Sequence, residues 1–476
     1  MSGGSVFHAR NPRTGEQDYS FAVPTPVEID EVVARARAAQ VAWTAAGFAA
    51  RIETLRAIGR ELVARKAQIA AALEIDTGRR RIAAMEVDSV VGSIEGWAAI
   101  APTLLPEGWT AGRGMPDVRH APQWAPYALV GVGSPWTFPL LLGMIDAIPA
   151  LVAGCAVIVK PSEVTPRFAA PVIEAINAVP GLADLLAILP GDGPVGQQII
   201  DRVDCVCFTG SVPTGRKVAV QAASRLIPAF LELGGKDPLI ILEGADLDAA
   251  SDAALRGSVL STGQACQSIE RIYVARPIHD AFVAKLVEKA KAVRLNWPDI
   301  SQGEIGPIIF DRQADILAGQ IADALAKGAR VHTGGRIETH GGGRWLLPTV
   351  LTDVTGDMAV ICDETFGPIL PVIAFDTVDE VVGLANDSEY GLSAAVFAQT
   401  PEAAEAVGRR LEAGAVSLND AALTALFFEA AKQSFKASGL GPSRMGADGL
   451  QRFFRRKALI ANTGRPIPIS AFREEG

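Results

Sequence analysis

Histidine and cysteine are both scarce in this chain, five of each among 476 residues. The histidines are scattered and none stands near a motif, so a Cys–His protease arrangement has little support. Cysteines at 155, 205, 207, 266 and 362 are too few for a disulfide framework, and the expected compartment is a reducing cytoplasm. The N-terminal Met-Ser-Gly-Gly-Ser-Val-Phe-His lacks a basic region followed by an apolar core, so no signal peptide is expected. Basic residues are outnumbered 44 to 53, for a net charge of −9. That balance argues against nucleic acid or an anionic membrane as the main partner. Cys205-Val206-Cys207 could be a metal pair, but i, i+2 on an apolar strand fits small core packing better, and no metal is expected. Internal repeats and low-complexity segments are lacking.

Residues 127–159 lack formal charge except at Asp146. A membrane span is the naive reading, but Pro135, Pro139 and Pro149, with glycines at 131, 133, 143 and 154, break the run. The pattern predicts a strand at Tyr127–Val132, a helix opening at Pro139 and ending near Ala153, and a strand at Ala156–Lys160. A βαβ unit buried on both faces explains the missing charge.

The length predicts two or three domains. Residues 8–26 are polar and turn-rich, a surface arm. From Val27 to Leu73 the pattern is helical, with Leu55, Ile58, Leu62, Ile69 and Leu73 on one stripe and Gly78 as the C-cap. Another helix is predicted over Arg79–Ala101. Alternating elements continue to Phe208, giving a doubly wound α/β domain. A second α/β lobe begins at Pro238–Leu242. It continues with a helix from Asp280 to Val293 and another carrying Leu317, Ile321 and Leu325 on one face. Gly334–Gly343 reads as a surface turn and the tail after Lys457 as a strand.

Two stretches carry chemistry. Ser261–Arg271, Ser-Thr-Gly-Gln-Ala-Cys-Gln-Ser-Ile-Glu-Arg, places Cys266 in a small Gly-containing turn before an apolar run. A thiol in a tight loop facing a cleft can act as a nucleophile, whereas one buried in a strand is inert. Upstream, Leu231-Glu232-Leu233-Gly234-Gly235-Lys236 sets a carboxylate amid apolar residues beside paired glycines, a setting for a general base of raised pKa. Gly191-Asp192-Gly193-Pro194-Val195-Gly196 matches G-x-G-x-x-G, but no acidic residue follows at the expected distance. The better phosphate candidate is Thr209–Gly215, which follows the strand Cys205–Phe208 and opens a helix with free N–H groups.

Glu-Leu-Gly-Gly-Lys and Gly-Gln-x-Cys together resemble the aldehyde dehydrogenase superfamily. Pro135-Trp136-Thr137-Phe138-Pro139, Lys160-Pro161-Ser162-Glu163, Phe208-Thr209-Gly210-Ser211 with Gly215, and Glu364-Thr365-Phe366-Gly367-Pro368 follow the family's order. The resemblance spans roughly residues 8 to 460. It implies two doubly wound α/β domains plus a small β oligomerisation arm. The cofactor-binding domain would comprise 1–112 and 131–233, the catalytic domain 234–435, and the arm and tail 113–130 and 436–476. A homodimer or homotetramer is implied.

By resemblance, Cys266 attacks an aldehyde to form a thiohemiacetal, and water activated at Glu232 hydrolyses the resulting thioester. Retention of Glu232 argues for acid formation over acylation of CoA. Lys160 and Glu163 would hold the adenosine ribose, and Glu364 beside Phe366 the nicotinamide ribose. Pro135, Trp136, Ser162, Gly193, Phe208, Gly210, Ser211 and Leu233 complete the implied cofactor contacts. A carboxylate at Glu163 accepts both ribose hydroxyls and repels a 2′-phosphate, so NAD is favoured over NADP. Phe138, Leu142, Ile145, Gln267 and the run Ala421–Phe428, including Phe427, would line the substrate pocket. Their apolar character suggests an aromatic or medium aliphatic aldehyde, while Arg271 and Lys432–Lys436 leave a semialdehyde carboxylate open.

Thr137 departs from the family pattern, where an Asn donates its amide to the oxyanion. Loss of one such donor costs ~100- to 1000-fold in rate. Thr137 substitutes through a water, or the site is slow, or the substrate compensates. A cofactor-binding protein with an impaired site is the alternative function, and a thiol esterase is a conceivable side activity. Near the C-terminus the usual aromatic-and-Gly-Gly pattern is replaced by Gln433-Ser434-Phe435-Lys436-Ala437-Ser438-Gly439.

Overall fold

The charge-poor run folds as its punctuation requires. In the computed structural model, which describes residues 5–474, it forms the strand Leu129–Gly133, the helix Pro139–Ala153 and the strand Ala156–Lys160. Proline sits in the helix's first turn, and Gly154, at φ 104°, closes it. The N-terminal cap comes from elsewhere. Glu86, on the helix Arg80–Ile100, accepts from the backbone N–H groups of Leu140 and Leu141 at 3.1 and 3.0 Å. Burial pushes the Glu86 carboxyl up to about 7. Asp146, the run's lone charge, is buried against Arg444 and Arg452. The described residues contain no helix long and apolar enough to cross a membrane.

Around this unit the first sheet runs in the order Gly439–Leu440, Ala229–Glu232, Cys205–Thr209, Leu129–Gly133, Ala156–Lys160, Leu186–Ile188. Its pairs are parallel except for Gly439–Leu440, which runs antiparallel to Ala229–Glu232. Cys205 and Cys207 are both buried in their strand. The second sheet orders Arg330–Thr333, Thr349–Thr352, Ile369–Phe375, Ile269–Ala275, Asp237–Ile241, Ser393–Phe397 and Ala415–Leu418. It too is parallel except at Arg330–Thr333.

The helical stretch after residue 26 is three helices rather than one, Pro26–Ala45, Gly47–Ala64 and Lys66–Thr77. Gly47, at φ 80°, marks the first break, and Gly78 caps the last in the left-handed conformation. In the helix Asp311–Ala326, Leu317 and Ile321 are buried but Leu325 is exposed. Each step of four residues advances about 40° round a 3.6-residue turn, so Leu325 lies about 80° from Leu317 and leaves the apolar face. The expected turn at 334–343 is largely a hairpin, Ile337–His340 against Gly343–Leu346. The N-terminal arm, itself a hairpin of Val6–Ala9 and Tyr19–Ala22, packs here through Arg13, which lies over the rings of Trp297 and Trp345 at 5.5 and 5.4 Å.

The tail strand, Phe454–Asn462, pairs antiparallel with Val118–Pro126, which in turn pairs with Thr110–Ala111. Leu459 and Ile460 on it are exposed.

Asp146→Ala leaves two arginines facing one another in the interior without their anion. The expected loss of stability is ~3–5 kcal/mol, read as a lowered urea midpoint at unchanged m-value.

Candidate active site

The turn that leads to Cys266 is held in an unfavourable backbone shape. Ser261, Thr262 and Gly263 are consecutive left-handed residues, at φ 61°, 61° and 68°. Two of them carry a Cβ, a conformation that costs about 1–3 kcal/mol each. Side chains keep it in place. Thr262 Oγ1 donates to the Gly306 carbonyl at 3.0 Å and accepts from its N–H at 3.1 Å. Gln264 donates to the carbonyls of Ser261 and Pro307 and accepts from Ile309 N–H at 2.8 Å. Arg79, fully buried, donates to Ser261 Oγ and to the Thr137 carbonyl, and its guanidinium covers the Phe138 ring at 4.9 Å. One side chain thus clamps the Cys266 turn to the Pro135–Pro139 loop. Burial lowers Arg79 to about 10.

Cys266 is half-buried at the end of this turn. Its carbonyl packs so closely on Gly235 that a Cβ there would stand 2.8 Å from it. Gly235 therefore lets the Glu232–Lys236 turn meet the cysteine turn, while Gly234 makes room for the Glu364 carboxylate. Burial, and then the nearby Glu232 carboxylate, push the Cys266 thiol up to about 12, against the pull of Lys432 and Arg444. Glu232 ends the strand Ala229–Glu232. Its surroundings are not simply apolar: Lys432 Nζ lies 3.2 Å and Ser434 Oγ 3.1 Å from Oε2. Thr137 is buried, and among the described residues its hydroxyl makes no hydrogen bond to protein.

Behind the turn, Lys236 and Glu270 form a buried pair at 3.0 Å. Lys236 also donates to Thr365 Oγ1 at 2.7 Å, and Glu270 accepts from the N–H groups of Thr365 and Phe366 at 2.7 and 2.8 Å. This fixes the Glu364–Phe366 loop, with Phe366 left-handed at φ 53° and its ring edge-on to Trp136 at 5.3 Å. Glu364 accepts from Gly235 N–H at 3.1 Å, and burial followed by the charge of Glu270 raises its pKa.

The other cofactor candidates line the same edge of the first sheet. Lys160 Nζ contacts Glu163 at 3.1 Å and donates to the Gly191 carbonyl at 2.7 Å, which brings the Gly191–Gly196 turn to the Lys160–Glu163 turn. Gly193 opens the helix Gly193–Ile200, capped by Asp192. Ser162 is buried, and its Oγ accepts from Val164 N–H. The helix Val212–Ser224 starts after Ser211, whose side chain caps no backbone N–H, so its first donors remain available. Phe208 folds over Gly210, where a Cβ would come within 2.5 Å of the ring, and Leu233 packs as closely on Gly215. Pro135 and Trp136 are partly exposed beside them. These glycines and open N–H groups fit a dinucleotide.

On the otherwise buried helix Pro139–Ala153, Leu141, Leu142 and Ile145 remain partly exposed, continuing a face begun by Phe138. Gln267 accepts from Thr424 Oγ1 at 2.6 Å, tying the cysteine turn to the 421–428 run. Phe427 stands exposed with Leu426 and Phe428. The cations left open for a semialdehyde carboxylate are already engaged. Arg271 is buried on the carbonyls of Lys236, Leu384 and Ala385, Lys436 reaches Glu412 at 2.7 Å, and Lys432 is paired with Glu232. Sequence reasoning did not single out Arg79, Glu270, Ser434 or Leu141. Of these only Leu141 had a signal, its spacing from Phe138 and Ile145.

The aldehyde dehydrogenase family pattern matches residues 1–459. A Mycolicibacterium smegmatis protein named "Putative succinate-semialdehyde dehydrogenase", with NADP(+) in its name, is 37% identical over 466 residues, covering 96% of this chain and 90% of its own. The solved structure of putative aldehyde dehydrogenase PutA from Anabaena variabilis is 50% identical with a TM-score of 0.95, covering 98% of this chain and 99% of its own. Betaine aldehyde dehydrogenase from Staphylococcus aureus, solved in complex with NAD+, is 29% identical with a TM-score of 0.89, covering 97% of this chain and 93% of its own.

Because alkylation follows the thiolate, a thiol near 12 stays mostly protonated across the neutral range. Iodoacetamide labelling of Cys266 without cofactor, followed by peptide mass spectrometry, is expected to rise about tenfold per pH unit from ~7 to ~10 without levelling. A cysteine at the ordinary ~8.5 would level off inside that window.

Proposed function

The chain belongs to the aldehyde dehydrogenase family, and on that footing we propose that it oxidises an uncharged apolar aldehyde to its carboxylic acid, with NAD as the preferred oxidant. The observation that carries the reading is the packing of the Cys266 carbonyl on Gly235, which brings the cysteine turn to the turn that begins at Glu232.

Cys266 gives up its proton, with Glu232 the nearby acceptor, and its sulfur bonds to the aldehyde carbon. The Cys266 backbone N–H and the Thr137 hydroxyl are the donors available to the oxyanion. A nicotinamide dinucleotide, when bound, supplies the acceptor for the hydride lost as the thiohemiacetal becomes a thioester. Once that first proton has passed to solvent, Glu232 takes a proton from the water that opens the thioester, and the proton returns to the Cys266 sulfur as the acid leaves. Thr209–Gly215 and the N-terminus of the helix Val212–Ser224 would hold the pyrophosphate, Lys160 and Glu163 the adenosine ribose, and Glu364 the nicotinamide ribose.

Glu163 supports NAD, since its carboxylate already pairs with Lys160 and the cation is not left for a 2′-phosphate. The M. smegmatis relative, with NADP(+) in its name, makes the cofactor comparison decisive to run. The apolar helix face and the engaged cations support an uncharged aldehyde over a semialdehyde. We extend the same reading to the domain division given above, to a reducing compartment, and to a homo-oligomer built through the exposed strand Phe454–Asn462.

The test is reduced-cofactor formation, followed by absorbance, with benzaldehyde, hexanal, succinic semialdehyde and betaine aldehyde, each with NAD and NADP. Turnover is expected to be highest with an apolar aldehyde and NAD, and to vanish in Cys266→Ala. Glu232→Gln is expected to lose ~100- to 10,000-fold in steady turnover. NAD binding without turnover for any aldehyde would instead favour the impaired-site reading.

A further inference from the structure

The C-terminal segment brings two side chains to the general base. Lys432 Nζ and Ser434 Oγ both meet Oε2 of Glu232, at 3.2 and 3.1 Å, while among the described residues Oε1 has no hydrogen-bond partner. The Lys432 side chain is 3% exposed and that of Glu232 12%, so the pair is largely shielded from solvent screening. The segment that carries them is anchored on both sides. Lys432 N–H donates to Ser443 Oγ at 3.0 Å, Leu233 N–H donates to the Ser438 carbonyl at 2.8 Å, and Gly439 pairs with Glu232 itself. A Cβ on Gly439 would stand 2.5 Å from the Leu231 carbonyl and 2.7 Å from Ser434 Cβ, so the approach depends on that glycine. Lys432 directly precedes the stretch Gln433–Gly439, which replaces the aromatic-and-Gly-Gly pattern that the resemblance leads one to expect.

We propose that Lys432 is a positioning residue for the general base. With Ser434 it pins one oxygen of Glu232 and leaves the other free for the water that hydrolyses the acyl-enzyme. The inference rests on the function proposed above, because it presupposes an acyl group on Cys266. In the step itself, the water oxygen bonds to the thioester carbon and its proton passes to Oε1. The carbon–sulfur bond then breaks, the acid departs, and the proton on Oε1 returns to the Cys266 sulfur. Lys432 neither gives nor takes a proton; it fixes the carboxylate in place.

The test uses the full chain and p-nitrophenyl acetate, which acylates a reactive thiol without any cofactor. Nitrophenolate release gives a burst for acylation and a steady rate for deacylation. Lys432→Met is expected to keep the burst amplitude and to lower the steady rate ~10- to 100-fold, the scale of a misplaced catalytic group. Ser434→Ala, which leaves the ion pair intact and is the safer variant for folding, is expected to lower the same rate by a smaller factor. In a Glu232→Gln background, Lys432→Met is expected to change the steady rate by no more than about twofold, because its effect runs through Glu232. Equal losses in both backgrounds would overturn the proposal. So would an unchanged steady rate in both single variants, or an effect confined to the KM of succinic semialdehyde. Absence of any Cys266-dependent burst in the unmodified protein would bring down the underlying function and the proposal with it.

Discussion

The buried ion pair between Lys236 and Glu270 is the constraint on which the site's assembly depends. Lys236 closes the turn that begins at Glu232, Glu270 stands four residues after Cys266, and their shared partners Thr365 and Phe366 adjoin Glu364. Three separate stretches of chain therefore meet at one pair of charges. Desolvation makes such a pair costly, and it persists because its remaining hydrogen-bonding capacity is met by a hydroxyl and two backbone N–H groups. Removing either member would leave the other charge buried and would also release the loops that carry Cys266 and Glu364.

Strain and bracing are coupled in the same way at the turn before Cys266. Ser261 and Thr262 would not choose the left-handed region, yet their side chains are the ones gripped by Arg79 and by the Gly306 backbone. The turn is held by contacts from distant parts of the sequence, and in return it delivers Cys266 onto Gly235, in the turn that begins at Glu232. The high thiol pKa follows from that delivery. Burial that keeps water from the thiol also disfavours the thiolate, and Lys432 and Arg444 only partly offset this.

The C-terminal segment completes both the core and the site. Arg444 and Arg452 neutralise Asp146, Arg444 also donates to Thr209 Oγ1 at 2.6 Å, and Lys432 reaches Glu232 from the same segment. Thr209 and Glu232 are neighbours across the first sheet. A segment 200 or more residues downstream thus supplies cations to the end of the strand that carries Glu232.

By itself the sequence determined what depends on local steric rules and on short motifs. Pro139 and Gly154 set the ends of a helix, the charge-poor run dictated buried parallel strands, and Gly78 had to be a left-handed cap. Cys266, Glu232, Lys160, Glu163 and Glu364 were legible because each stands in a short stretch whose glycines, prolines and flanking residues match a known family. Tertiary structure alone decided what pairs with what. Arg271 and Lys436 could as well have faced a substrate carboxylate; folding turned one onto backbone carbonyls and the other onto Glu412. Leu325 followed the spacing of an apolar face and still came out exposed, because the helix rotates it away. Glu270 and Arg79 carried no local signal, and Lys432 was legible only as a cation open to a substrate carboxylate, since a charge's role depends on the partner and the dielectric that folding brings to it, and those partners lie far away along the chain.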